Sequence, residues 1–92
     1  MEILQTPSFK RKANKLHREQ GKVLEEAIRR IVNQPGIGQA KKGDLTGIRV
    51  YKFRMSNQLM LLAYQYNESQ LTLVALGSHE NFYRDLKSTK RR

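Results

Sequence analysis

Phe9, Ala13 and Leu16 recur at i, i+4 and i+7, the spacing that gathers apolar side chains on one face of a helix. Thr6 and Pro7 stand at its start: a hydroxyl able to cap, then a residue whose fixed φ suits a first turn. Gly21 is the expected break after this short helix. Ahead of it, Ile3, Leu4 and Gln5 can form a short strand ended by Thr6-Pro7. Leu24, Ala27, Ile28 and Ile31 then draw a second apolar stripe, predicting a helix over 22–33. Glu25–Arg29 and Glu26–Arg30 are i,i+4 pairs on its solvated side. The run Asn33-Gln34-Pro35-Gly36-Ile37-Gly38 ends it.

From Gly47 the period shortens. Residues 47–55 are rich in β-branched and aromatic side chains and read as a strand, with Ser56-Asn57 as the turn. Residues 58–66 are apolar at nearly every position, as in a central strand with both faces covered. After a turn at 67–70, Leu71-Thr72-Leu73-Val74-Ala75-Leu76 returns as a third strand. Gly77-Ser78 opens a final short helix in which Ser78 is the N-cap and Phe82 and Leu86 lie four residues apart. The predicted order is β-α-α-β-β-β-α, an α+β domain in which a helical hairpin packs on an antiparallel sheet.

A chain of 92 residues has room for one domain, spanning 1–92, with a basic tail from Lys87. The absence of cysteine excludes disulfide scaffolds, thiolate metal sites and cysteine nucleophiles. Two histidines, His17 and His79, make a poor metal set, and the carboxylates Asp44, Glu68 and Glu80 each suit a turn or helix terminus. No metal and no cofactor is expected. No apolar run approaches the roughly 18 residues of a membrane helix. The N-terminus lacks the build of a signal peptide, so a cytoplasmic location is expected.

Charge changes the picture most. Eighteen Lys and Arg against eight Asp and Glu give +10, which attracts polyanions. The cations cluster at 10–18, at Lys41, Lys42, Arg49, Lys52 and Arg54, and at the end, where Arg84 joins the tail. On a strand Arg49, Tyr51, Phe53 and Met55 share one face, and Ile48, Val50, Lys52 and Arg54 the other. A wetted sheet face of cations and aromatics suits single-stranded RNA, guanidiniums taking phosphates and rings taking bases. The same cations would equally defend a sheet edge against aggregation. His79, where the third strand gives way to the closing helix, lies four residues before Tyr83. An imidazole and a phenol side by side can serve proton transfer beside a polyanion, or can simply close the core.

The order of elements, the stretch Lys41-Lys42-Gly43-Asp44-Leu45-Thr46-Gly47-Ile48-Arg49-Val50-Tyr51 leading into the sheet, and Leu61-Leu62-Ala63-Tyr64 resemble the RelE/ParE superfamily of bacterial toxins. Leu76-Gly77-Ser78-His79-Glu80-Asn81-Phe82-Tyr83 is similar to the histidine-plus-aromatic ending of the RelE-like messenger-RNA interferases, the YafQ type in particular. The resemblance implies the toxin of a type II toxin–antitoxin pair, inhibited by a cognate antitoxin and cutting messenger RNA, in many relatives on the ribosome. ParE-like relatives instead poison DNA gyrase and have no nuclease activity. Carried over, His79 would transfer a proton, Tyr83 would hold a base or assist the acid, and Arg49 with Lys52 and Arg54 would bind phosphate. The family's usual arginine in the second meander strand is missing from Leu59-Met60-Leu61-Leu62-Ala63-Tyr64. With a +10 surface to cover, the antitoxin is expected to be an acidic, partly disordered segment that folds on binding.

Overall fold

Thr6 makes the first reversal of the chain. In the computed structural model, which describes residues 1–79 and 82–83, its hydroxyl accepts from Phe9 N–H at 3.1 Å and donates to the Val74 carbonyl at 2.6 Å. One side chain thus caps helix α1 (Pro7–Asn14) and ties its start to the sheet.

The break between the helices falls earlier than Gly21. Lys15 and Leu16 N–H groups reach the carbonyls of Lys12 and Ala13, closing α1 with a tight turn. Helix α2 (Arg18–Asn33) then starts from its N-cap His17, so Gly21 lies inside it. An interior glycine costs about 1 kcal/mol relative to alanine. Two features offset that: Gln20 Oε1 accepts from His17 N–H at 3.0 Å, and Leu24, Ala27 and Ile31 are buried against the sheet.

The sheet has the order β1-β5-β4-β3-β2, with β1 (Glu2–Gln5), β2 (Gln39–Ala40), β3 (Arg49–Met55), β4 (Gln58–Tyr66) and β5 (Gln70–Ser78). The β3-β4-β5 meander is antiparallel as the sequence predicts, and β4 is its central strand. Ser56 and Asn57 take φ of 51° and 66°, the left-handed pair of a two-residue hairpin whose twist matches its strands. Two strand pairs were not legible in advance. β1 runs parallel to β5, and the two-residue β2 joins the far edge, facing only Arg49 and Val50 of β3. The Ser78 cap is also corrected: β5 runs on so that Ser78 faces Met60. Phe82 and Tyr83 are helical; the rest of the expected closing helix with Leu86, and the tail from Lys87, lie outside the described residues.

The helices cover one face of the sheet, where Phe9, Leu24 and Ile31 pack with Met55, Met60, Leu62, Tyr64, Leu71, Leu73 and Leu76. The opposite face carries a second cluster: Leu45, Ile48, Val50, Leu61, Ala63, Val74, Ala75 and Phe82, with Tyr83 against it. An irregularity between Ala63 and Tyr64 in the β4–β5 register lets both Val74 and Ala75 join that second cluster. Among the described residues no helix is long and apolar enough to cross a membrane.

Candidate functional site

Alternation along β3 decides which cations meet. Val50 is buried in the second cluster, and Lys52 and Arg54, on the same side of the strand, are exposed. Across the sheet Lys52 faces Leu61, which faces Gly77, and Arg54 faces Leu59. One residue further along, the His79 N–H donates to the Leu59 carbonyl at 3.2 Å. That continues the register and sets His79 opposite Leu59, in line with Arg54. Directly opposed residues share a face, and strands lie about 4.8 Å apart, so Arg54 and His79 flank Leu59 across about 10 Å. The His79 side chain is exposed.

A second group approaches the face from its β2 edge. Lys41 N–H donates to the Ile48 carbonyl at 3.0 Å, which puts Lys41 on the side of Ile48 and Val50. Its ammonium stands 5.2 Å from the centroid of the Tyr83 ring and 3.3 Å from Gln39 Oε1. Tyr83 in turn meets Phe82 edge to face, with ring centroids 5.2 Å apart. Phe82 packs over Gly77, where an added Cβ would sit 3.5 Å from its ring. The face therefore has an apolar centre, with Lys41 and Tyr83 toward one edge and Lys52, Arg54 and His79 toward one end. Cations beside an aromatic ring can hold a sugar–phosphate strand while the ring takes a base, and an exposed imidazole can exchange protons with it.

The absence of a basic residue in β4 has a visible counterpart. Leu59, Leu61 and Ala63 are its contributions to this face, and Leu61 and Ala63 are fully buried; β5 is uncharged as well, so within the meander the charge on this face stands on β3, at Lys52 and Arg54. The helical i,i+4 relation of His79 to Tyr83 does not hold, because His79 lies in the turn that ends β5. Lys42 is exposed at the start of the short 3-10 turn Gly43–Leu45. Arg84 lies outside the described residues.

Arg49 is separated from the set. It faces Tyr64 in the register and so belongs to the helix-covered side. Its Nη1 donates to the carbonyls of Gly38 at 2.7 Å and Gly36 at 3.2 Å, and its guanidinium lies 5.9 Å from the Tyr66 ring centroid. The physical reason is the period of two: residues 49 and 52 cannot share a face on a regular strand.

Tyr64 is the residue that pattern reading passed over. Wholly buried, its hydroxyl donates to the Pro35 carbonyl at 2.5 Å and accepts from Gly38 N–H at 2.9 Å. Burial pushes this phenol above its ordinary pKa of 10.0, against the pull of the Gly38 hydrogen bond and the Arg49 charge. A Cβ on Gly38 would lie 2.7 Å from the hydroxyl oxygen, so only glycine fits there. The signal was a tyrosine in an apolar central strand, whose hydroxyl must find a partner when buried, together with the Pro35-Gly36-Ile37-Gly38 run. Among the described residues no three His, Asp or Glu side chains gather where they could hold a metal ion.

Three solved structures share this fold at low sequence identity. A mutant of the E. coli toxin RelE in its free state superposes with a TM-score of 0.73 at 16% identity, covering 98% of this chain and 93% of that one. A chain of the intact E. coli RelBE toxin–antitoxin complex gives 0.69 at 17%, covering 86% and 96%. A YoeB/ParE toxin from Agrobacterium tumefaciens gives 0.67 at 19%, covering 86% and 99%. Among curated proteins none matches the chain. The family model of the ParE-like toxin of type II bacterial toxin–antitoxin systems matches residues 3–87. That span takes in the helical hairpin, the meander and the cationic face together, and the chain is a member of this toxin family.

Proposed function

We propose that this toxin is a metal-independent endoribonuclease acting on messenger RNA, with the sheet face opposite the helices as its active site. The observation that carries the reading is the row Arg54–Leu59–His79 with Lys52 beside it: cations and an exposed imidazole on one face, about two strand spacings apart. In the reaction the ribose 2′-oxygen attacks the adjacent phosphorus and the bond from phosphorus to the 5′-oxygen breaks. The products are a 2′,3′-cyclic phosphate and a free 5′-hydroxyl. A base must take the 2′-hydroxyl proton and an acid must deliver one to the leaving oxygen. His79 fills one of these roles. Lys52 and Arg54 stabilise the charge that grows on the non-bridging oxygens. Tyr83 holds a base or assists the acid, and Lys41, Lys42 and Arg84 contribute to binding the strand. Inhibition by the cognate antitoxin then amounts to covering this face, and an acidic segment that folds on binding suits its charge. The RNA is bound free or on the ribosome.

His79→Ala tests the assignment. General acid–base help is worth about 10²–10⁴ in rate, so cleavage should fall by that order with the fold intact, and the parent should keep cleaving in the presence of a chelator. A purified variant that cleaves RNA and arrests growth like the parent would remove His79 from the mechanism.

A second reading is favoured by the ParE-like family match and by the uncharged β4: a gyrase inhibitor that cuts nothing, for which the basic face docks protein. It predicts that DNA replication stops before translation after induction and that RNA acquires no new 5′-hydroxyl ends. The nuclease predicts the reverse on both counts.

A further inference from the structure

Arg49 does no visible work on the proposed RNA face, yet it is among the best-connected cations among the described residues. It and Tyr64 grip one short segment from behind the sheet. Arg49 Nη1 holds the carbonyls of Gly36 and Gly38, while the Tyr64 hydroxyl holds the Pro35 carbonyl and the Gly38 N–H. That segment leads straight into β2, and β2 leads into Lys41, three residues after Gly38. β2 has only two pairs with β3 to keep its place. A strand so short does not fix its own register, because a slip of one residue turns every side chain to the other face. With Gly38 pinned, Gln39 faces Val50 and Lys41 faces Ile48, on the side where its ammonium meets Tyr83. A slip would carry Lys41 to the helix-covered side, away from Tyr83.

We propose that Arg49 is a positioning residue: by clamping the Pro35–Gly38 turn it sets the register of β2 and so holds Lys41 over Tyr83 on the opposite face of the sheet. The inference rests on the nuclease reading only for what Lys41 then does, which is to take a phosphate next to the ring that receives a base. The clamp itself is a statement about the free protein.

The test has two arms. In the free protein, NMR reads the Lys41 ε-methylene, which the Tyr83 ring current shifts upfield. Arg49→Ala should abolish that shift, as Tyr83→Leu does, while β4–β5 amide signals stay in place. Where Arg49→Ala proves too unstable to purify, Arg49→Met keeps the aliphatic stem against Tyr66 and serves in its stead. In the second arm, binding of single-stranded RNA is measured against salt for Arg49→Ala, Lys41→Ala and the double variant. Each phosphate contact contributes about 0.7 to the steepness of log affinity against log salt for a single strand. Both single variants should lose one such contact, and in the Lys41→Ala background Arg49→Ala should change neither affinity nor steepness.

A further loss of about 0.7 in the double variant would mean that Arg49 binds phosphate itself, and overturns the proposal. So does a Lys41 signal unmoved by loss of the Arg49 side chain. If the parent binds no RNA, the nuclease reading falls, and the NMR arm alone still decides the clamp.

Discussion

Tyr64→Phe removes one oxygen and leaves two groups without their partner. The Gly38 N–H is in a buried hydrogen bond with that hydroxyl, and the Pro35 carbonyl, in a half-buried one, accepts from it. A buried donor or acceptor left unsatisfied costs about 1–3 kcal/mol. Gly38 should show that cost in full, and Pro35 a fraction of it, since water reaches its side of the turn. Phenylalanine keeps the ring packing and no longer buries a hydroxyl, which returns part of the loss. The sum is about 2–3 kcal/mol of destabilisation. For a domain of this size about 1 kcal/mol moves the midpoint by roughly 4–8 °C, so the variant should melt roughly 10–20 °C below the parent in calorimetry.

The pH dependence makes the same test sharper. The folded phenol is held above its ordinary pKa of 10.0 by burial. Its contribution is therefore complete below that value, where folded and unfolded chains both carry the proton. Above it the unfolded chain ionises first, and the contribution is lost as pH climbs toward the folded pKa. The gap between parent and Tyr64→Phe should be constant through neutral pH and narrow in alkali. A midpoint within about 2 °C of the parent, or a gap that widens in alkali, would refute the account of Tyr64 as a buried, neutral tie.

Two further outcomes are expected beside that of His79→Ala. Lys52→Ala and Arg54→Ala should each lower the steepness of RNA affinity against salt by about 0.7, with melting temperatures near the parent's because both side chains are exposed; unchanged steepness would take them off the RNA path. Replacing Ser56-Asn57 by Asn-Gly, residues suited to positive φ at both turn positions, should stabilise the hairpin by about 0.5–1 kcal/mol, and a midpoint at or below the parent's would contradict the turn geometry.

Much of the fold was written in periodicity. The helical stripe of Leu24, Ala27 and Ile31 and the apolar run of β4 bury large surfaces, so their patterns are strict: β4 spans 58–66 and α2 ends at Asn33 as expected. Gly21 misled because a break signal is worth about 1 kcal/mol and tertiary packing outweighs it. β2 and the parallel β1–β5 pair escaped because short edge strands carry little alternation and their partners are far off in the chain. Within the site, alternation alone grouped Lys52 with Arg54 and set Arg49 apart. The family resemblance pooled all three, and register separates them. The meeting of Lys41 with Tyr83 joins residues 42 positions apart in sequence, beyond the reach of any local pattern.

The brevity of β2 has one more consequence. Because it faces only Arg49 and Val50, the lower half of β3 has no strand on its outer flank among the described residues, and its main-chain amides there are a template for another chain. Lys52 and Arg54 stand exposed on that stretch, like charges of the kind that disfavour pairing of two identical edges. The cations proposed to bind RNA thus sit where they would also oppose edge-to-edge pairing of two copies, and concentrated brine, by screening them, should bring copies of the toxin together along this rim.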